Sequence, residues 1–274
     1  MRLATVGKGG SGKTTIAGTL ARIFAADGRR ILAIDGDPNP NLALMLGMAP
    51  DAANKLGFIP TSVIKKVDKP DGTATLELAM PQDELLQRYA QTAADNVDLI
   101  VMGRPTHGTA GTGCMCMSHR TVRELISHLT NIRDHTITDM EAGLEHLKRG
   151  TARHVDMMLI VVEPYYRSLE AASRTHELAV ELGIPYVKVA ANKVRGPEDR
   201  AAIESYCAQH DMEIIGWVPQ DEALMAAERQ GMAPYDATGD SAAVNAIRAM
   251  AEEIGRLGQN IPPRRPKPAP EARA

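Results

Sequence analysis

The sequence predicts an α/β fold, a single doubly wound and mostly parallel sheet with helices on both faces. Three observations predict it. About seven short apolar runs alternate with amphipathic helical stretches along the chain, the pattern of repeated strand–helix–strand units. The first run, Arg2 to Val6, passes directly into a glycine-rich loop and then a helix rich in Ala, Leu and Ile. With 274 residues, 44% hydrophobic and 24% charged, the chain is long enough and ordinary enough in composition to bury one large core.

The glycine-rich loop, Gly7-Lys-Gly-Gly-Ser-Gly-Lys-Thr-Thr15, has the phosphate-loop spacing, Gly7, four residues, then Gly12, Lys13 and Thr14. Backbone N–H groups of Gly9, Gly10, Ser11 and Gly12 can close on phosphate oxygens without side-chain clash. Lys13 reaches the outer phosphates, Thr14 takes Mg²⁺, and Thr15 continues into a helix whose N-terminus favours anions. Lys8 is a second lysine in a loop that needs one. With it, the loop resembles the deviant phosphate loop of the family that holds the nitrogenase iron protein and the partition and septum-siting ATPases. That resemblance implies that Lys8 reaches across a dimer interface to the partner's nucleotide.

Arg30 to Ile34 reads as the second strand, ended by Asp35-Gly-Asp37-Pro38, and ligands bind beyond the carboxyl ends of such parallel strands. Asp37 is the first candidate for orienting the attacking water and Asp35 the second. Residues 41–95 are less legible. Helices are expected over Asn41–Met48 and Gln82–Asn96, and a strand over Thr73–Met80. Val97–Met102 reads as a strand, followed by Gly103 to Gly113 with four glycines in eleven residues, hence a loop. Cys114-Met-Cys116 closes it, and Ser118–Thr130 reads as a helix that Ser118 can cap. Strand Thr136–Met140, helix Glu141–Arg149, strand Met157–Glu163 and helix Ser168–Leu182 follow. Strand Tyr186–Ala191, helix Pro197–His210, strand Glu213–Val218 and helices around Ala223 and Ala246 complete the series. Residues 1–258 are thus one nucleotide-binding domain. Residues 259–274, with five prolines and four basic residues, have the composition of a disordered tail without an apolar face for membranes.

Asp139, at the end of an apolar strand and followed by Gly143, suits a second phosphate-sensing segment: the carboxylate for the Mg²⁺ water shell, the glycine N–H for the terminal phosphate. Asn192-Lys-Val-Arg195 ends a late strand where a base is met. GTPases with this layout carry Asp at the position of Arg195, which has no acceptor for the guanine edge. Adenine is therefore expected, with Asn192 on its edge and Pro219 and Gln220 on the other side, so the nucleotides are ATP and ADP.

Composition excludes several classes. A net charge of −3 without a basic block argues against general nucleic-acid binding, and 3% aromatics argues against base-stacking platforms. No stretch approaches the roughly 18–20 apolar residues of a membrane span. Entry into a strand at the first residues argues against a signal peptide, and three cysteines do not make a disulfide framework. A cytoplasmic protein is expected.

Cys114 and Cys116 admit several readings: small buried hydrophobes, a strained redox pair, or metal ligands. A closed tetrahedral site needs four soft ligands, and a two-fold dimer supplies four thiolates from two chains. A helix N-terminus beside them lowers thiol pKa. His107, His119, Met115 and Met117 are weaker candidates, and Cys207, alone on a helix, reads as core.

Cys114-Met-Cys116, the segment Asp139-Met-Glu-Ala-Gly-Leu-Glu-His-Leu-Lys-Arg-Gly-Thr151, Val155-Asp-Met-Met and Asn192-Lys-Val-Arg together resemble the carbon monoxide dehydrogenase maturation ATPases, nickel-inserting accessory proteins. The resemblance runs from Met1 to about Leu257. It implies an ATP-dependent homodimer that binds Ni(II), or Zn(II) when isolated, between subunits through Cys114 and Cys116. Lys8, Lys13, Asp37 and Asp139 then act at the nucleotide, and apo-carbon monoxide dehydrogenase or a related nickel enzyme receives the metal. Two alternatives stand beside it. One is an iron-protein-like electron carrier with a bridging iron–sulfur cluster, weakened because a second cysteine segment is missing near Asp139. The other is a positioning ATPase, which leaves Cys114 and Cys116 without a role.

Overall fold

The computed structural model describes residues 1–94, 96–102, 116–129, 133–143 and 152–263, with the backbone alone for 116–120 and 122. Strands β1 (Arg2–Gly7), β2 (Ile31–Asp35), β6 (Val97–Val101), β7 (His135–Asp139), β8 (Met157–Val162), β9 (Tyr186–Val194) and β10 (Glu213–Pro219) are joined by β5 (Gln91–Ala94). They form one sheet in the order β10-β9-β8-β1-β7-β2-β6-β5. All pairs are parallel except β5 with β6. β3 (Ile64–Asp68) and β4 (Ala74–Leu78) make a separate antiparallel pair.

Alternation along the strands sorts the core into two layers. On β8, Met158, Ile160 and Val162 face one layer and Met157, Leu159 and Val161 the other; Leu32 and Ile34 oppose Ile31 and Ala33 on β2 in the same way. The second layer holds α1 (Lys13–Ala26) and α10 (Ala242–Gly258); the first holds residues of α5 (Cys116–His128), α6 (Tyr166–Glu181) and α7 (Pro197–Gln209). Central strands buried on both faces are why these runs read as continuous rather than alternating apolar sequence. The fold class read from sequence is therefore the one observed, with helices on both faces.

Several boundaries differ. The expected helix Gln82–Asn96 stops at Tyr89 as α4 (Gln82–Tyr89), and Gln91–Ala94 pairs as an antiparallel edge strand on β6. Gln and Ala favour a helix, but unpaired edge groups of β6 gain ladder bonds from this segment, and tertiary pairing overrides propensity. Of Asn41–Met48 only α2 (Leu42–Met45) is helical, and α3 (Pro50–Ala53) follows it. Helix α5 begins at Cys116, so Ser118 lies inside the first turn rather than at a cap. β9 extends to Val194, which puts Asn192 and Lys193 within the strand. Two closing helices were expected; three are present, α8 (Glu222–Arg229), α9 (Pro234–Ala237) and α10. The expected helix Glu141–Arg149 falls mostly, and the tail from 264 entirely, outside the described residues.

α1 is buried around nearly all its surface, and one glycine makes that possible. A Cβ on Gly18 would lie 2.5 Å from the Cβ of Met45 and 3.0 Å from its backbone. Gly18→Val is predicted to lower unfolding free energy by roughly 1–3 kcal/mol through overpacking, measured by denaturant midpoints.

Candidate nucleotide site

Register brings the site together before any side chain does. Thr5 on β1 and Asp35 on β2 each pair with Asp139 on β7, so three residues stand abreast at the carboxyl ends of neighbouring strands. The loop Gly7–Gly12 leaves β1 at the same end and opens α1. Ser11 N–H donates to Lys8 O at 3.1 Å, closing a turn whose tip, Lys8 to Gly10, is exposed. Gly12 caps α1 at φ 94°, left-handed backbone that favours glycine; a Cβ there would also overlap the Asn192 amide. Helix α1 has no side-chain cap, so its first N–H groups face the loop.

Asp139 is almost fully buried. Thr14 Oγ1 donates to its Oδ2 at 2.6 Å and Thr5 Oγ1 to its Oδ1 at 3.0 Å. Burial pushes the carboxyl up to about 6, opposed by the Thr14 hydrogen bond and then by the charge of buried Lys13. Thr14 and Asp139 thus present hard oxygen donors side by side, the donor chemistry that Mg²⁺ takes, and the Ser11 hydroxyl lies buried without a partner among the described residues. The residues fit a Mg²⁺–nucleotide.

Asp35 is fully buried and pushed up to about 7, first by burial and then by the charge of Asp139. Its carboxylate accepts N–H bonds from Asp37 at 3.2 Å and Leu42 at 2.9 Å. It is therefore committed to shaping the 36–42 segment. Asp37 is half-buried, with Oδ1 accepting from Asn39 N–H at 2.8 Å, and its charge acts on both Asp139 and Asp35.

A cleft of about 500 Å³ runs from the loop, lined among others by Lys13, Thr15, Asn192, Pro219, Gln220 and Glu228. The sequence-derived residues Asn192, Pro219 and Gln220 therefore come together with Lys13, Thr14 and Thr15. Asn192 Nδ2 donates to Ser11 O at 2.7 Å, so the amide also braces the phosphate loop. Arg195 Nε donates to Gln220 Oε1 at 2.7 Å and its Nη2 to Tyr165 Oη at 3.0 Å, making one wall of the cleft.

Five contributors are not among the sequence-derived candidates: Thr5, Glu228, Tyr165, Glu163 and Lys193. Thr5 lies inside the first apolar run. Thr15 Oγ1 donates to Glu228 Oε1 at 2.7 Å, and Tyr165 and the Glu163–Lys193 pair line the same cleft. Glu163 did carry a signal, an acid directly after an all-apolar strand. Cys114, His107 and Met115 lie outside the described residues, as do the side chains of Cys116, Met117 and His119. Among the described residues no group of three or more His, Cys, Asp or Glu could hold a metal ion. Cys207 is buried and its thiol pushed up to about 11 by burial, the behaviour of a core residue. No helix among the described residues is long and apolar enough to cross a membrane.

The doubly wound sheet, phosphate loop and Thr14–Asp139 contact define a P-loop nucleotide-binding ATPase. Residues 3–235 match the family described as the CobQ/CobB/MinD/ParA nucleotide binding domain, and the chain belongs to that family. The carbon monoxide dehydrogenase accessory protein CooC of Rhodospirillum rubrum is 37% identical, covering 86% of this chain and 90% of its own length. An uncharacterized ATP-binding protein of Methanocaldococcus jannaschii is 38% identical over 84% of this chain and 90% of its own. The Mg-ADP complex of septum site-determining protein MinD from Pyrococcus horikoshii shares the fold, with TM-score 0.72 at 20% identity, covering 93% of this chain and 96% of that one.

The two raised carboxyls have a consequence for stability. Both bind protons more tightly in the folded chain than unfolded, so their contribution is complete in acid and is lost as pH rises through about 6 for Asp139 and about 7 for Asp35. Without nucleotide, the urea midpoint of wild type should carry a downward component between about pH 4, where the unfolded carboxyls ionise, and about pH 7, the folded value of Asp35. Asp35→Asn should remove part of that component. An unchanged pH slope in the variant would show that Asp35 does not titrate there.

Proposed function

We propose that this ATPase is a homodimeric metallochaperone. It binds Ni(II), or Zn(II) when isolated, between subunits through Cys114 and Cys116, and it helps insert nickel into carbon monoxide dehydrogenase or a related nickel enzyme in the cytoplasm. The observation that carries the reading is the coincidence, in one chain, of a Lys8-bearing loop joined to Asp139 through Thr14 with a Cys-x-Cys sequence whose second cysteine, Cys116, is the first residue of α5. The 37% identity to an accessory protein of carbon monoxide dehydrogenase supports the target.

Bound Mg²⁺–ATP supplies the phosphoryl group. The chain's part is to hold and orient it: loop N–H groups and Lys13 neutralise phosphate charge, and Thr14 and Asp139 hold the cation with its water shell. Asp37 orients the attacking water, and Lys8 completes the partner's site. Such a reaction depends on positioning and charge neutralisation rather than covalent chemistry. Asn192 spends its N–H on Ser11 O, which leaves its carbonyl oxygen as the acceptor for adenine's amino group. Nucleotide state biases the dimer, and the dimer sets metal affinity, a coupling between two sites.

Two outcomes are predicted. Lys8→Ala should lower the ATPase rate by about tenfold or more, the scale of losing a transition-state charge contact, measured by phosphate release. Equilibrium dialysis should find one Ni(II) per two wild-type chains and none for Cys114→Ser/Cys116→Ser. Undiminished nickel affinity in the double variant ends the interfacial-thiolate reading. Brown protein carrying iron and sulfide in equal amounts after anaerobic purification would point to a bridging cluster instead.

A further inference from the structure

Lys193 stands at an unusual place for its residue type. Its backbone is left-handed, φ 56°, one of three non-glycine residues with positive φ among those described. Few side chains other than Gly, Asn and Asp adopt this region without an external constraint. The constraint is visible at the side chain. Lys193 Nζ donates to Gly10 O in the phosphate loop at 2.6 Å and to Glu163 Oε1 at 2.8 Å. Glu163 is well shielded, at 15% side-chain exposure, and follows β8, the strand beside β1. Glu163 thus fixes the ammonium from one neighbouring strand end, Lys193 comes from the next, and both meet at the loop tip.

The bonded group on the loop is a carbonyl. A phosphate loop works only when its N–H groups point inward, so its carbonyls must point outward and find donors elsewhere. Asn192 Nδ2 takes Ser11 O, and Lys193 takes Gly10 O. Consecutive residues of β9 therefore satisfy consecutive carbonyls of the loop. The bond to Gly10 lies inside the four-residue turn closed by Ser11 N–H on Lys8 O, whose first residue is the exposed Lys8.

We propose that Lys193, oriented by Glu163, is a positioning residue of the ATPase reaction: the clasp on Gly10 O sets the turn that presents Lys8. Lys193 Nζ meets a loop carbonyl rather than one of the loop's N–H groups, and it acts through the loop rather than on the phosphates. This assignment rests on the proposed role of Lys8 across the dimer.

The experiment compares full-length wild type with Lys193→Met, Lys193→Arg, Glu163→Gln and Lys8→Ala. For each, kcat and KM for ATP, equilibrium ATP affinity and thermal midpoint are measured. A displaced turn costs catalysis more than binding. Lys193→Met should therefore lose about tenfold to a hundredfold in kcat, the scale of an ångström-sized misplacement. KM and ATP affinity should move by less than about threefold, below 1 kcal/mol of ground-state binding. Lys193→Arg, which keeps a cationic donor, should recover a large part of kcat, and Glu163→Gln should fall between. Wild-type kcat in Lys193→Met overturns the clasp. So does a loss expressed in KM and affinity, which marks Lys193 as a direct nucleotide contact, or a kcat loss matched by a fallen thermal midpoint without rescue by Arg. Lys8→Ala separates the two readings. If it keeps full kcat, the cross-dimer role of Lys8 fails; if it loses kcat while Lys193→Met does not, only the clasp fails.

Discussion

The hydrogen bonds that Thr14 and Thr5 make to Asp139 are the interaction on which the site depends. They tie the first turn of α1, the end of β1 and the end of β7 to one carboxylate that is pushed up by burial. A buried acid is tolerable there because two hydroxyls and a buried lysine face it. The same arrangement fixes the phosphate loop relative to the sheet, since the loop has β1 at one end and Thr14 at the other. The parallel register supplies the rest: with Thr5, Asp139 and Asp35 abreast, no long loop is needed to gather the acids.

Around that centre the chain spends polar groups on shape. Asp35 accepts two N–H bonds from the 36–42 segment, and Asn192 and Lys193 take loop carbonyls. Each of these satisfies a backbone group that would otherwise be left unpaired on leaving the sheet. The cleft is consequently pre-formed, with Arg195, Gln220 and Tyr165 joined into one wall. Pre-formed donors and acceptors are what phosphoryl transfer asks of a protein, because reorganisation at the moment of reaction is avoided.

The phosphate loop passes from buried to exposed along its length. Lys8, Gly9 and Gly10 are exposed, while Ser11, Lys13 and Thr15 are buried. The loop is therefore packed into the protein at its base and carries one exposed lysine at its tip. In the proposed dimer the face bearing that lysine meets its copy, and the Cys114-x-Cys116 segments contribute two thiolates each to a shared site.

The sequence by itself determined the fold class and the phosphate loop. Buried parallel strands write continuous apolar runs, and the loop's function lies in contiguous residues whose spacing alone sets their geometry. It also reached Asp139, Asn192, Pro219 and Gln220, since each sits just past or within a strand end. The tertiary structure decided what those residues touch. Thr14 and Asp139 are 125 residues apart and Lys193 and Gly10 are 183 apart, and no local pattern specifies such pairs. It separated Asp35, fully buried and accepting two backbone N–H groups, from Asp37, half-buried and accepting one. It also turned Gln91–Ala94 into an edge strand, because a neighbouring strand's unpaired groups outweigh a weak helical propensity. Short-range chemistry is written in the sequence; which carbonyl a distant lysine must satisfy is set only when the strands are laid side by side.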